Sequence, residues 1–201
     1  MEGYDNKLNL TGTLAGRPVF SHTGGGEDYL TFPLEIKRLS GKEDRINIIA
    51  PRYLMELTPV TDGEKVSISG ELRSFNNRSG VGSKLVITVL AREITITDSS
   101  DENHVELTGT ICKTPTLRRT PMGRQICDIM LAVSRRYGRS DYLPVIAWGR
   151  TAQMASLMDT GDRISLTGRI QSRTYIKTVD GEATERTAFE VSAVTLEEAE
   201  E

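Results

Sequence analysis

Arginines and flat rings are the side chains in this sequence whose grouping could do chemistry. Between Cys112 and Arg150 stand Lys113, Arg118, Arg119, Arg124, Arg135, Arg136, Arg139 and Arg150, against only Asp128 and Asp141. Eight bases and two acids leave a local +6 in a chain whose total is −3. A polyanion meets the local field, not the total. From residue 104 onward, eleven of thirteen basic residues are arginine. A guanidinium pairs with phosphate and also stacks on a base. Rings supply the other half of such a surface. Tyr142, Trp148 and Tyr175 follow the basic cluster, and Tyr175 shares a strand face with Arg173 in Arg173-Thr174-Tyr175-Ile176-Lys177. Cations for phosphates and aromatic faces for bases hold a single strand without reading its sequence. The candidate residues of the second half are therefore Arg119, Arg124, Arg135, Arg136, Arg139, Tyr142, Trp148, Arg150, Arg173, Tyr175 and Lys177. Arg135 and Arg136 are equally readable as a solvated turn. Trp148 is open between core and groove.

The first half carries less of this chemistry. From Leu14 to Tyr53, six bases face five acids, and there is no tryptophan. Its candidates are Arg73, Phe75 and Arg78, in a segment that parallels the one around Tyr175 and is expected to put an aromatic at the same barrel position. Phe32 alternates with Leu30, Leu34 and Ile36 and is expected in the core. Gly24-Gly25-Gly26 lacks the Gly-Lys-Ser/Thr ending of a phosphate-cradling loop, and His22 beside it is expected to be solvent-exposed.

Other chemistries have no foothold. Cys112 and Cys127 form no CxxC pair and have no histidine at metal-ligand spacing. Both are expected as reduced, small core residues. No nucleophile–base pair or paired carboxylate stands at useful spacing. The expectation is a binding protein, not an enzyme, with no cofactor and no metal. The sequence shows neither a secretory signal nor an apolar run long enough to span a bilayer, so the expected address is cytoplasmic.

The elements that must position these residues come in two copies. Leu10-Thr11-Gly12-Thr13 recurs as Leu107-Thr108-Gly109-Thr110, and the run from Asp62 to Ser74 recurs from Thr160 to Ser172. Offsets of 97 and 98 residues at two distant motifs indicate a duplicated domain. Val66-Ser67-Ile68-Ser69 and Ile164-Ser165-Leu166-Thr167 alternate as strands do. Cys127, Ile129, Leu131 and Val133 mark one buried strand face. Short helices are expected from about Arg52 to Leu57, with Pro51 at the start, and from about Arg150 to Met158. Three strands, a helix and two strands, twice over, match small five-stranded OB barrels. Gly12, Gly109, Gly70 and Gly168 are expected where barrel strands bend sharply. The expected fold is all-β with short helices, in two tandem five-stranded OB-fold barrels. Its expected parts are residues 1–97, a polar linker at 98–103, a second barrel at 104–196 and an acidic tail at 197–201.

Residues 104–196 resemble the OB domain of bacterial single-stranded DNA-binding proteins and the related primosomal replication protein. Val105-Glu106-Leu107-Thr108-Gly109, Leu143-Pro144-Val145-Ile146-Ala147-Trp148-Gly149-Arg150 and the run from Gly161 to Arg173 carry the resemblance. It implies stacking roles for Tyr175, Tyr142 and Trp148. It implies sequence-tolerant binding and protection of single-stranded DNA in replication, recombination or repair, without a cofactor, in the cytoplasm at the nucleoid. The family assembles four OB domains, so a homodimer of this chain is expected, with replication proteins as possible partners. The chain departs from the family in its two domains, its sparse aromatics and its short tail without an apolar tip. The competing reading is an OB-fold interaction module serving a replication or primosome complex.

Overall fold

A computed structural model describes residues 5–77, 84–135, 138–179 and 182–199; for Tyr175, Lys177, Val179, Glu182, Thr184 and Arg186 it describes the backbone only. The chain forms two compact units. One comprises Lys7–Arg73 and Thr88–Val105. The other comprises Glu106–Glu201 together with Met1–Asn6 and Ser74–Ile87.

The first unit is built on β1 (Asn6–Leu14), β2 (Val19–Gly24), β3 (Glu27–Lys37), β4 (Glu43–Pro51), helix α1 (Arg52–Leu57), β5 (Lys65–Asn76) and β6 (Leu85–Ile96). β1 pairs antiparallel with both β3 and β5. β3 pairs with β4, and β4 runs parallel to β6. β6 lies beside β5, so the five long strands close on themselves as an OB barrel does. Leu10, Leu34, Ile46, Ile48, Val66 and Ile68 are fully buried inside it. Phe32 joins them at 2% exposure, as its alternation requires.

The unit holding the C-terminal half repeats this plan with β7 (Glu102–Arg119), β8 (Gln125–Ser134), β9 (Ser140–Trp148), helix α2 (Gly149–Ala155), β10 (Arg163–Val179) and β11 (Glu182–Glu198). β8 pairs with β7 and β9, β9 runs parallel to β11, and β10 pairs with β11 and β7. Cys127, Ile129, Leu131 and Val133 all face inward.

The shared glycines sit where two strands approach too closely for a side chain. A Cβ on Gly109 would lie 2.6 Å from the Ala132 carbonyl oxygen. Gly12, Gly70 and Gly168 face the carbonyl oxygens of Glu35, Leu90 and Ser192 in the same way. These contacts are with backbone, which cannot rotate aside.

Three details depart from expectation. The long first strand is broken in the first unit, where Gly16 takes φ +148° ahead of Pro18, while β7 passes the equivalent Lys113-Thr114-Pro115 with register shifts only. α1 spans Arg52–Leu57 with Pro51 as its N-cap, as expected, but α2 ends at Ala155, short of Met158. The polar stretch before β7 is pinned at Asp101, which accepts from the Lys37 amide at 2.7 Å and from Lys65 Nζ at 2.6 Å. Both cysteines are free thiols, Cys127 buried and Cys112 half-buried; burial pushes both thiols up from their ordinary range.

Candidate nucleic-acid interface

Strand alternation turns β9 into the centre of the candidate surface. Asp141, Leu143, Val145 and Ala147 point inward and are buried. Tyr142, Pro144, Ile146 and Trp148 therefore share the opposite face, on which Ile146 is covered at 4% exposure. Tyr142 is 50% exposed and Trp148 37%. Six residues of strand separate them, about 20 Å at ~3.3 Å per residue. Across the sheet, Trp148 pairs with Ile126, which is buried, and Ile126 pairs with Arg118. Tyr142 pairs with Ala132.

The basic residues divide by what they touch. Arg119 and Arg124 flank the turn between β7 and β8, which closes through the Thr120 amide donating to the Arg124 carbonyl at 2.9 Å. Arg139 ends the β8–β9 turn, and Arg150 opens α2. All four are exposed, and their side chains have no partner among the described residues. Arg118 is tied to Asp128, whose carboxylate raises the arginine further. Arg173 approaches Glu190 at 4.0 Å. Arg73 is bound to Glu71 in the first unit. Arg135 is engaged inside its unit: it forks onto the fully buried Asp141 and donates to the Ser74 carbonyl at 2.8 Å. Its guanidinium is thus held by partners within the unit, with the side chain 26% exposed. Phe75 is 50% exposed. Arg78 and Arg136 lie outside the described residues, as do the side chains of Tyr175 and Lys177; the backbone of Tyr175 pairs with Arg186.

The first unit shows what the same scaffold looks like without this chemistry. At the positions of Tyr142 and Trp148 its β4 carries Arg45 and Pro51. Arg45 is held by Glu35 and the Ala15 carbonyl, each at 3.1 Å. Where the second barrel has Arg119 and Arg124, the first has His22 and Glu27 around a Gly25-Gly26 turn with both φ positive. Its exposed ring pair is elsewhere. His22 stacks on Tyr29 across β2 and β3, with centroids 4.9 Å apart and planes within 6°; the glycine run beside it gave no hint of that pairing. Phe75 and Tyr175 do not share a barrel position. Phe75 stands five residues after Gly70, and Tyr175 stands seven after Gly168.

Closed five-stranded barrels in tandem define an OB-fold protein. Comparison with known proteins agrees. Residues 102–197 match the model of the single-strand binding protein family. A single-stranded DNA-binding protein of Clostridium tetani is 39% identical over 80 residues, 36% of this chain and 55% of that protein. Single-stranded DNA-binding protein B of Bacillus subtilis is 34% identical over 36% of this chain and 71% of its own length. A solved structure of a deletion mutant of the Thermus aquaticus single-stranded DNA-binding protein superposes with a TM-score of 0.79 at 26% identity, covering 98% of this chain and 95% of that one. The chain belongs to the single-strand binding protein family. It spans just over half the length of the clostridial relatives it matches, 55% and 56% for two of them.

Proposed function

We propose that this chain binds single-stranded DNA without sequence preference and keeps it covered during replication, recombination or repair. The observation that carries the reading is the outer face of β9. Two half-exposed rings stand there, in a barrel that also bears four exposed arginines with no partner among the described residues. Phosphates would settle on Arg119, Arg124, Arg139 and Arg150, and bases on Tyr142, Trp148 and Phe75, and on Tyr175 as the family resemblance implies. Covering a single strand needs no chemical step, so the protein acts as a binder and not as an enzyme.

The C-terminal barrel grips more strongly than the first, because Arg45, Pro51, His22 and Glu27 replace its rings and cations there. Two chains together would bring four barrels to one strand, so the working form is a homodimer that meets replication proteins at the nucleoid. No helix among the described residues is long and apolar enough to cross a membrane.

The test is a gel-shift titration with a dT oligomer of about 35 nucleotides, enough for two or more OB folds at ~4–16 nucleotides each. A shift at low salt that weakens steeply as salt rises is the expected result. No shift at low salt, with a pull-down of replication proteins that survives nuclease, would replace the reading with a protein-interaction module.

A further inference from the structure

One guanidinium of the ring-bearing barrel already holds an anion. Arg118 stands near the end of β7, one residue before Arg119, and Asp128 stands on β8, four residues after Arg124. The register sets Thr116 opposite Asp128 and Arg118 opposite Ile126, so Arg118 and Asp128 are diagonal neighbours on one face of the sheet. Arg118 forks onto the carboxylate: Nε donates to Oδ2, and a terminal nitrogen donates to Oδ1 at 3.0 Å. Both side chains are nearly half exposed, 46% and 45%. The bond to Asp128 raises Arg118 above its ordinary value, and the charge of Glu190 adds to it. Glu190 is itself mostly covered, accepts from Gln171 at 2.8 Å and lies 4.0 Å from Arg173. Asp128 is therefore the accessible anion of the two.

The scaffold does not need this pair. The first copy sets Val19 opposite Thr31, just as the second sets Thr116 opposite Asp128. At the places of Arg118 and Asp128 it carries Ser21 and Thr31, neither of them charged. Ser21 shares a hydrogen bond with His22 at 3.0 Å, and Thr31 donates to the Ile48 carbonyl at 2.8 Å. The ion pair thus belongs to the barrel with the rings and is missing from its ring-poor copy. An ion pair this exposed adds little to stability, while a carboxylate set among phosphate-binding cations opposes a polyanion. Resting on the single-stranded DNA reading, we propose that Asp128 is an affinity-limiting residue: its carboxylate keeps Arg118 from the phosphates and so withholds a fifth guanidinium from a barrel that offers Arg119, Arg124, Arg139 and Arg150. Asp128 touches no strand in this role. It holds the grip below what the scaffold can reach, which suits a protein that covers a strand and later gives it up.

Asp128→Asn removes the charge at nearly constant shape. Combining it with Arg118→Gln restores the wild-type net charge while removing the guanidinium. Asp159→Asn, at an exposed position beyond α2, controls for the loss of a negative charge elsewhere in the same unit. Each full-length variant is titrated against a fluorescein-labelled dT oligomer of about 35 nucleotides, with anisotropy read over a series of salt concentrations. Asp128→Asn should steepen the plot of log Kd against log salt by about 0.7, the mark of one added phosphate contact, and bind about 5-fold more tightly at ~0.1 M salt. The double variant should return to the wild-type slope, and Asp159→Asn should keep it. A wild-type slope in Asp128→Asn overturns the proposal. An equal steepening in Asp159→Asn overturns it too, by showing an effect of net charge alone. A gain that survives in the double variant means that Arg118 is not the released group, and a double variant flatter than wild type means that Arg118 meets phosphate despite Asp128; either result also overturns it. Wild-type chain that binds no oligonucleotide at low salt overturns the functional reading itself, a failure distinct from all of these.

Discussion

Trp148 gives the sharpest test of the interface, because it is the only tryptophan in the chain and is already partly covered. Its 37% exposure leaves about 90 Å² of a ~250 Å² side chain for a base to cover. At ~25 cal/mol per Å² that is about 2 kcal/mol, or roughly a 30-fold change in Kd. The remaining two thirds pack against the barrel, so Trp148→Ala would also cost about 3–5 kcal/mol of stability. Trp148→Leu keeps apolar bulk at that corner and removes the ring, which makes it the better probe. The assay pairs two readouts on the same sample: anisotropy of labelled dT reports binding, and tryptophan emission of the wild type reports whether the base covers the ring. Saturating anisotropy with a quenched or shifted emission is expected, together with a roughly 30-fold weaker Trp148→Leu. Saturating anisotropy with unchanged emission and an unaffected Trp148→Leu would show that the strand passes elsewhere.

Replacing both Arg119 and Arg124 with glutamine should flatten the plot of log Kd against log salt by about 1.4, since each lost phosphate contact removes ~0.7 for single strands; Glu27→Gln in the first barrel should leave the slope unchanged. Gly109→Ala would press a methyl to 2.6 Å from the Ala132 carbonyl oxygen, and an unfolding free energy lowered by about 1–3 kcal/mol is expected, read as a lower urea midpoint with an unchanged m value. Asp101 is pushed up by burial, but the hydrogen bonds from Lys65 and the Lys37 amide, with the charges of both lysines, outweigh it and hold the carboxyl below its ordinary 3.8. A lowered folded value means that its stabilisation is present above that ordinary value and is lost as pH falls through the folded one. Asp101→Asn should therefore be less stable at neutral pH and show a shallower acid limb below about pH 4 in thermal unfolding. An identical acid limb in both proteins would show that Asp101 contributes no linkage.

The barrels were legible in the sequence because their constraints are local or repeated. Gly12 and Gly109 recur at a fixed offset since the same backbone oxygen blocks a side chain in both copies. The alternation around Cys127 and around Trp148 follows from strand geometry, and it separated Trp148 from Val145 and Ala147. What escaped was pairing over distance. Arg135 was read as a phosphate ligand because nothing adjacent to it announces Ser74 or a buried Asp141. A signal did exist: Arg38 and Asp44 repeat Arg135 and Asp141 at the same six-residue separation, and Arg38 also forks onto its buried aspartate, at 2.5 Å. An ion pair kept in both copies is a poor candidate for a ligand contact unique to one. The break after β1 escaped for the opposite reason, since Pro18 and Pro115 occupy matching positions, while Gly16, with its positive φ, stands where the second copy has Lys113.

Carrying two barrels on one polypeptide changes what a single codon can do. In an assembly of identical one-barrel subunits, a substitution that removes a ring removes it from every subunit at once. Here Arg45 and Pro51 stand in one copy while Tyr142 and Trp148 stand in the other. Tethering thus fixes a one-to-one stoichiometry of ring-poor and ring-bearing barrels, with no mixing of subunits, and leaves each copy to be adjusted separately.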